Sequence, residues 1–445
     1  GTTVTKKPCG SLLPSQKSIF NNTGLLDIFT DCWIPGNANE LPALDGAFTT
    51  YVGELHEGIV IALPFDSGEL FVDSRTQIKS FYSSGKRLPF EHVSLVSKGK
   101  VRKLVSRSLE YLHHKRGLPY IHKWYFPNQA DSVFAFRIDT DYSNKNEIHK
   151  LYKCSLEHTI PFTWFVDTKS QQQFIEIYSR MREQEIALHC FEHETFQDYE
   201  QNKNNIRSAL DLLRNVKLFP AGFAAPYGKW NDNLAKAIAD YGFGYSSEFS
   251  YDYDDLPSFP LLHENPINVL QIPIHPISIG TLKRLGYTDD MMKKYFSHVI
   301  HEKLALHEPL ILYHHPKDGH ENVLCEIFQS VKQHQLPSVR FGEYASWWKQ
   351  RAAAKIDIHF ATDTLTIQQS NVETSVYLHI TTENGFEAFH SITKQLPLKE
   401  LSWQNIPPSH DIPKNIARIR KCNPWITIIK VQDKTIGRLK NFSKW

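Results

Sequence analysis

Apolar segments of strand length alternate with polar, helix-like segments between residues 131 and 350. The apolar runs are VFAFRID, PFTWFVD, EIALHC, LQIPIHPISIG and PLILYHHP, and the intervening amphipathic segments include 205–216 and 231–241. Continuous apolar strands are typical of a parallel sheet that is covered on both faces. Alternation every 20 to 30 residues or so indicates βαβ units, and at roughly 220 residues a (β/α) barrel is favoured over an open sheet. The expected fold class of this region is therefore α/β.

The regions on either side of this segment have different patterns. In residues 1–130, apolar and polar residues alternate as in strands in the segments GAFTTYVGEL and EGIVIALPFD, and the segment ELFVDS follows a turn-like Asp-Ser-Gly. A helix is predicted from Ser97 to Gly117. This predicts an N-terminal mixed α+β domain of unknown role. Residues 351–445 alternate in KIDIHFATD, TLTIQQS, SVYLHIT and WITIIKVQ, which predicts a C-terminal β-sandwich. With a barrel at 131–350, we expect the 445 residues to form three domains.

Composition excludes several classes of protein. Hydrophobic residues make up 41% and charged residues 22%, so a large core can form and disorder is excluded. The net charge is +2, which gives no electrostatic sign of a nucleic-acid partner, and no apolar run is long enough for a membrane helix. The six cysteines contain no CxxC pair and are interpreted as reduced thiols. Because the first residue is Gly1, we expect an upstream segment to have been removed; a cytoplasmic location is favoured and an extracytoplasmic one stays open.

Polar residues follow three of the predicted barrel strands. Asp139 and Asp141 end the first strand, His189 and His193 come with a later one, and His314 and His315 follow LILY. A spacing of four places two histidines on one helical face, but 22 histidines produce about one such pair by chance, so the pair alone carries little information. The carboxyl ends of barrel strands form one rim, where such barrels do chemistry. One Asp and two His would leave coordination positions open for water and substrate.

The runs FRIDTD, HCFEH, FAAPYG and LYHHP occur in this order. Together they resemble the ordered motifs of the NodB-type polysaccharide deacetylases, carbohydrate esterase family 4. The resemblance covers about residues 131–350, and its Asp-x-Asp form is similar to that of some peptidoglycan-deacetylase-like and allantoinase-like branches.

The resemblance implies a role for each motif residue. Asp139 would be the general base, and Asp141, His189 and His193 would bind a divalent metal. Zinc is favoured for this ligand set, and cobalt, nickel or manganese would also fit. The backbone N–H of Tyr227 would help to hold the oxyanion. His315 is the first choice for the general acid and His314 the second; adjacent strand residues point to opposite faces, so only one can serve.

One position departs from the family pattern. Where the family usually has an Arg that orients the base, this chain has Ala224. We expect Arg137 to take over this function, because it lies two residues before Asp139 on the same strand face and would be costly to bury without a carboxylate partner.

Aromatic side chains near these motifs are candidates for substrate binding. Pro226, Tyr227, Trp230 and Phe249 lie in or after the FAAPYG run and could line a sugar groove. The acidic residues of the nearby SSEFSYDYDD run, Asp252, Asp254 and Asp255, are interpreted as a solvated loop rather than a second metal site.

The expected function is metal-dependent hydrolysis of N-acetyl or other N-acyl groups on a carbohydrate or glycan. Two alternatives stay open: an allantoinase-like hydrolase of cyclic amides on the same barrel, and a non-catalytic carbohydrate-binding protein of the same fold. A long open groove would favour the polymer, and a closed pocket the small substrate. The outer domains are candidates for glycan binding or for assembly into an oligomer.

Overall fold

A computed structural model of the chain describes residues 4–12, 19–20, 23–35, 51–56, 58–85, 87–262, 265–370 and 375–406. The expected strand WITIIKVQ, at 425–432, lies outside these ranges. Among the described residues, no helix combines the length and the apolar composition that crossing a membrane requires.

The N-terminal region consists of hairpins and two helices. Its elements are β1 (Val4–Leu12), β2 (Leu26–Pro35), β3 (Tyr51–Leu55), β4 (Gly58–Ala62), α1 (Ser67–Val72), β5 (Thr76–Ser80), β6 (Phe90–Ser94), α2 (Lys98–Lys115) and β7 (Tyr120–Lys123). The turn indicated by Asp66-Ser67-Gly68 begins a helix instead. The Asp66 carboxylate caps α1 by accepting from the N–H groups of Gly68 and Glu69, at 2.7 and 3.3 Å.

The central region alternates strands and helices, as the sequence predicts. Its elements are β8 (Phe134–Asp139), α3 (Lys145–His158), β9 (Phe162–Asp167), α4 (Thr168–Gln171), β10 (Glu185–Cys190), α5 (Tyr199–Asn215), β11 (Gly222–Phe223), α6 (Asp232–Asp240), β12 (Tyr245–Ser246), β13 (Leu261–Leu262), β14 (Asn265–Pro266), β15 (Leu270–Gln271), α7 (Ile279–Arg284), α8 (Asp289–Ala305), β16 (Leu310–His314), α9 (Glu321–Gln333) and α10 (Phe341–Ala353). Short 3-10 helices lie at Pro127–Gln129, Gln172–Arg180, Pro226–Gly228 and Pro316–Asp318.

Seven parallel strands form the central sheet in the order β15-β12-β11-β10-β9-β8-β16. Every residue of β8 and β9 is buried, because helices cover the sheet, and this explains why both strands read as continuous apolar runs. Beyond β15, the His275 N–H donates to the Ile311 carbonyl of β16 at 2.8 Å. The two ends of the strand order therefore approach each other at this point. The α/β prediction with a parallel sheet is confirmed.

The C-terminal region continues in two antiparallel sheets. Its elements are β17 (Lys355–Ala361), β18 (Thr364–Ser370), β19 (Tyr377–Thr381), β20 (Phe386–Ser391), β21 (Gln395–Pro397), a 3-10 helix (Leu398–Glu400) and β22 (Gln404–Asn405). The sheet orders are β17-β18-β21 and β22-β20-β19-β7, so β7 pairs with β19 although it precedes the central region. Apolar residues of both sheets share one hydrophobic cluster. The β-sandwich and the three-domain division stay predictions.

The acidic run after β12 is buried, so its interpretation as a solvated loop is wrong. Asp252 and Asp255 form ion pairs with Arg102 of α2, the former at 3.1 Å. Asp254 lies 2.9 Å from the Lys303 ammonium and 2.9 Å from His275 Nδ1. These acidic side chains can be buried because cations from α2 and α8 neutralise them. The run therefore joins the N-terminal region to the central sheet.

Candidate metal and catalytic site

The carboxyl ends of β8, β10 and β16 lie at the same edge of the central sheet, and each delivers a polar side chain there. Asp139 is the last residue of β8 and Asp141 follows two residues later, His189 lies near the end of β10, and His315 directly follows β16. Buried hydrophobic residues hold these strands in the sheet, and the polar residues lie at the carboxyl ends of the strands. This is the rim that the sequence pattern predicts.

Asp141, His189 and His193 converge. The Nε2 atoms of His189 and His193 lie 3.1 Å from Oδ1 and Oδ2 of Asp141 respectively, and 3.2 Å from each other. Among the described residues, these three form the one group whose ligand atoms are close enough to hold a metal ion. His189 lies in strand β10 and His193 in the following loop, so the helical spacing considered for this pair does not apply.

Neighbouring groups orient these side chains and set their charges. His189 Nδ1 is 2.7 Å from the Ala224 carbonyl, so it carries the proton and leaves Nε2 facing Asp141 as a lone-pair donor. Burial would raise the pKa of Asp141, but His189 and His193 hold it well below its ordinary value. Burial opposes a charge on His189, yet the Asp141 carboxylate raises the pKa of this imidazole. A buried anionic oxygen between two imidazole nitrogens fits a divalent cation that accepts N and O ligands.

Arg137 and Asp139 form a buried ion pair beside this cluster. The guanidinium Nε and Nη2 lie 2.6 and 2.7 Å from the two carboxylate oxygens of Asp139. Its Nη1 donates to the carbonyl oxygen and to the hydroxyl of Ser247, at 2.6 and 3.1 Å. Because Arg137 and Asp139 share a face of β8, one side chain lies directly along the other. Arg137 thus supplies a cation beside Asp139, which the side chain of Ala224 cannot do.

Of the two adjacent histidines, only His315 reaches the cluster. Its Nε2 lies 3.5 Å from Asp141 Oδ2, and its Nδ1 lies 3.1 Å from Asp318 Oδ2. Burial would lower the pKa of His315, but the Asp318 hydrogen bond and the nearby Asp141 charge raise it. The His314 ring instead stacks near Phe136 in the core, and burial lowers its pKa to about 4. Asp318 was not among the residues singled out from the sequence.

The FAAPYG run forms a tight turn at the same edge. Two backbone hydrogen bonds close this turn: the Gly228 N–H donates to the Ala225 carbonyl, and the Lys229 N–H donates to the Pro226 carbonyl. Neither of them uses the N–H of Tyr227. Tyr227 has a left-handed backbone with φ of 58°. The turn is anchored from outside, because Ser250 donates both its N–H and its hydroxyl to the Gly228 carbonyl.

The aromatic candidates divide between core and surface. Phe249 is 4% exposed and packs against Tyr313, with ring centroids 6.2 Å apart, while Pro226 is also buried. Trp230 packs against the buried Tyr251, with centroids 4.8 Å apart. Phe249 therefore presents no free face to a ligand, whereas Tyr227 is 60% exposed. A second tyrosine with the same exposure, Tyr142, was missed, because a residue that directly follows an Asp-x-Asp run has no distinctive sequence pattern.

The family resemblance was compared with known proteins in three ways. Residues 128–246 match the family model described as polysaccharide deacetylase, so the family resemblance is confirmed for this segment. Three solved structures are similar to about half of this chain. They are a probable polysaccharide deacetylase from Pseudomonas aeruginosa PAO1 (17% identity, TM-score 0.41, 50% of this chain and 93% of that one), the Puue allantoinase (16%, 0.42, 50% and 92%) and a family 4 carbohydrate esterase from Streptomyces lividans (14%, 0.33, 47% and 92%). No curated protein matches the chain.

Proposed function

We propose that this protein is a metal-dependent hydrolase that removes N-acetyl or related N-acyl groups from a carbohydrate. The observation that carries the proposal is the convergence of Asp141, His189 and His193, with the ion-paired Asp139 beside them. The match of residues 128–246 to polysaccharide deacetylases supports the same class of reaction. A carboxylate base, a histidine acid and a metal-ligand set at one rim are the groups that amide hydrolysis needs.

Asp141, His189 and His193 would hold the metal ion. When bound, a divalent ion supplies a Lewis acid that polarises an acyl oxygen and lowers the pKa of water. Zinc is the ion that this set of one oxygen and two nitrogen ligands favours, with cobalt, nickel and manganese as the other candidates.

Asp139 acts as the general base and takes the proton of the attacking water. Arg137 is a positioning residue, because its two parallel hydrogen bonds hold both carboxylate oxygens in one orientation. The backbone N–H of Tyr227 donates to the oxyanion that forms when water adds to the acyl carbon. One such donor is typically worth about 3–4 kcal/mol of transition-state stabilisation.

His315 acts as the general acid and protonates the amine that leaves. Its contact with Asp318 favours the imidazolium form that this role requires. The products are a free amine on the sugar and a carboxylate such as acetate.

The test measures acetate release from a panel of acetylated glycans, with metal added or removed by a chelator. Wild type is compared with Asp139→Asn and, as a matched control, with Asp289→Asn, which removes the carboxylate of a more exposed Asp–His pair formed with His320. We expect activity that depends on metal, a loss of about 10²- to 10⁴-fold in Asp139→Asn, and little loss in the control. Turnover of a cyclic ureide in place of every glycan would support the small-amide alternative. Glycan binding without acetate release or bound metal would support the non-catalytic one.

A further inference from the structure

A buried glutamate contacts the backbone of the FAAPYG run. Glu248 lies two residues beyond β12, and its side chain has no exposure to solvent. The Ala225 N–H donates to its Oε1 atom at 3.2 Å. Gln271 of β15 fixes the backbone of the same glutamate, because its side-chain amide donates to the Glu248 carbonyl at 2.9 Å. Glu248 is therefore held in one position against the peptide backbone at Ala225.

The peptide unit between Ala224 and Ala225 makes a hydrogen bond at each end. Its N–H donates to Glu248, and its carbonyl oxygen accepts from Nδ1 of His189 at 2.7 Å. The N–H and the C=O of one planar, trans peptide unit point in opposite directions. A continuous chain of hydrogen bonds thus runs from the Glu248 carboxyl group through this peptide unit to His189, whose Nε2 atom lies 3.1 Å from Asp141.

The central sheet places this peptide unit beside His189. Phe223 of β11 pairs with Leu188 of β10 in parallel, and the Ala224 N–H donates to the Leu188 carbonyl at 2.9 Å. His189 is the next residue of β10 after Leu188. Because strand pairing already holds the backbone here, the contribution left to Glu248 is to polarise the peptide unit rather than to place it.

Stability does not account for a carboxyl group at this position. The second oxygen of Glu248, Oε2, has no hydrogen-bond partner in the part of the chain that the structure describes, and burying an unpaired polar atom costs free energy. The guanidinium of Arg137 directs its hydrogen bonds to Asp139 and Ser247 instead. Burial raises the pKa of Glu248 to about 7. An amide or an apolar side chain would be cheaper to bury, so the carboxyl group is better explained by its effect on the hydrogen-bond chain.

We infer that Glu248 is a positioning residue that strengthens metal binding by His189 through the peptide unit between Ala224 and Ala225. This inference rests on the proposed function, because it needs the metal site. A carboxylate that accepts from the N–H polarises the peptide unit, so its carbonyl oxygen becomes a stronger acceptor for the Nδ1 proton of His189. A histidine binds metal more tightly when its other ring nitrogen donates to such an acceptor, because the ligating nitrogen becomes more basic.

The test is the affinity of the whole chain for zinc, measured by competition with a chromophoric chelator at about pH 8, above the pKa of Glu248. Glu248→Gln keeps the shape and an acceptor oxygen but loses the charge, and Glu248→Ala loses the acceptor as well. Glu185→Gln is the matched control, because Glu185 lies at the opposite end of β10 from His189 and also accepts from a backbone N–H, that of Gly342 at 2.8 Å. We expect the zinc Kd to rise about 10-fold in Glu248→Ala, to rise less in Glu248→Gln, and to match wild type in the control.

The imidazole of His189 gives a second readout that needs no metal. In the metal-free chain with ¹⁵N-labelled histidine, the Nδ1 proton resonance, identified by its loss in His189→Gln, should move upfield in Glu248→Gln because its hydrogen bond weakens. The inference requires both changes in this folded, isosteric variant: if either the zinc Kd or the resonance equals that of wild type, it is overturned. Failure of the proposed function has a different signature, since a wild-type chain that binds zinc with the help of Glu248 but releases no acetate from any glycan would refute hydrolysis alone.

Discussion

Arg137 holds both carboxylate oxygens of Asp139, with Nε–Oδ1 and Nη2–Oδ2 distances of 2.6 and 2.7 Å inside strand β8. The guanidinium is 1% exposed, so this is a desolvated pair in which loss of either partner leaves an unpaired buried charge. The pair links two features of the sequence: the costly Arg within an apolar strand, and Ala224, which stands where the family resemblance leads us to expect an Arg.

Substituting Arg137 by Lys should lower kcat by about 10- to 100-fold, because a lysine keeps the charge but cannot form two parallel hydrogen bonds to Asp139. The measurement is steady-state acetate release, with metal content and thermal unfolding recorded for each variant. Arg75→Lys is the matched control, since the guanidinium of the exposed Arg75 contacts both carboxylate oxygens of Asp73 through Nε and Nη2. A kcat equal to that of wild type in Arg137→Lys would rule out the positioning role.

His315 and His314 can be separated by substitution to glutamine. We expect His315→Gln to lose at least about 100-fold in kcat, because its Nε2 faces the cluster at 3.5 Å from Asp141. His314→Gln should retain most of the activity and lose stability instead, because its ring is buried against Phe136. The measurement is the rate of acetate release by each variant, with the folded fraction of each sample determined by circular dichroism. Comparing the rates at equal folded fraction decides which histidine is the acid. The reverse pattern of rates would assign the acid to His314.

Asp318 should control the alkaline side of the pH profile. Its hydrogen bond raises the pKa of His315, and His315 must carry a proton to act as an acid, so activity falls as pH rises through that pKa. Asp318→Asn removes the negative charge and should move the alkaline limb of kcat to lower pH. The matched control is Asp289→Asn, which breaks the contact with His320, a histidine outside the cluster. An alkaline limb that does not move would show that Asp318 does not control the pKa of the general acid.

The parallel strands and the rim could be predicted because their signal is local. Buried strands such as β8 and β9 are continuous apolar runs, and their sequence neighbours Asp139 and Asp141 must then lie at the carboxyl edge. The face shared by Arg137 and Asp139 follows from the same two-residue period. Prediction succeeded where the strand period alone fixes the direction of a side chain.

Prediction failed where the partner is remote in sequence. Asp252 and Asp255 look like a solvated loop until Arg102 is brought against them by the packing of α2. Tyr142 was missed for a different reason, because its exposure depends on a left-handed turn that no residue pattern specifies. Only the first of these errors arises from tertiary context that overrides local polarity.

Metal binding should raise the thermal stability of the protein. A ligand that binds only the folded state at 100 times its Kd stabilises it by about 2.7 kcal/mol. We expect a higher Tm with zinc than with a chelator in wild type and no such difference in Asp141→Asn, since this substitution removes the anionic ligand between two histidines. Differential scanning calorimetry with Asp289→Asn as control makes the comparison, and a zinc shift that persists in Asp141→Asn would place the metal elsewhere.

The buried pair of Lys303 and Asp254 should contribute to the acid stability of the folded chain. Burial would raise the pKa of Asp254, but His275 and Lys303 lower it to about 2. Because the folded pKa lies below the ordinary value, the stabilisation is present above about pH 4 and is lost as pH falls towards 2. This group alone should contribute about 2 kcal/mol to the free energy of unfolding at neutral pH.

Asp254→Asn should therefore be less stable than wild type at pH 7, and the difference should shrink as the pH falls towards 2. Urea unfolding at several pH values measures it. The control is Asp211→Asn, which removes an exposed carboxylate that pairs with Arg214 at 3.4 Å and should change little. Lys303 also contacts Glu308, at 2.7 Å, so Lys303→Met removes one cation from two buried carboxylates. Asp254 keeps His275 and Glu308 keeps Lys100 and Lys103, so the cost should stay below the roughly 3–5 kcal/mol of a buried carboxylate that loses its last partner. Equal stability of Asp254→Asn and wild type at pH 7 would mean that the ion pair only balances its own desolvation.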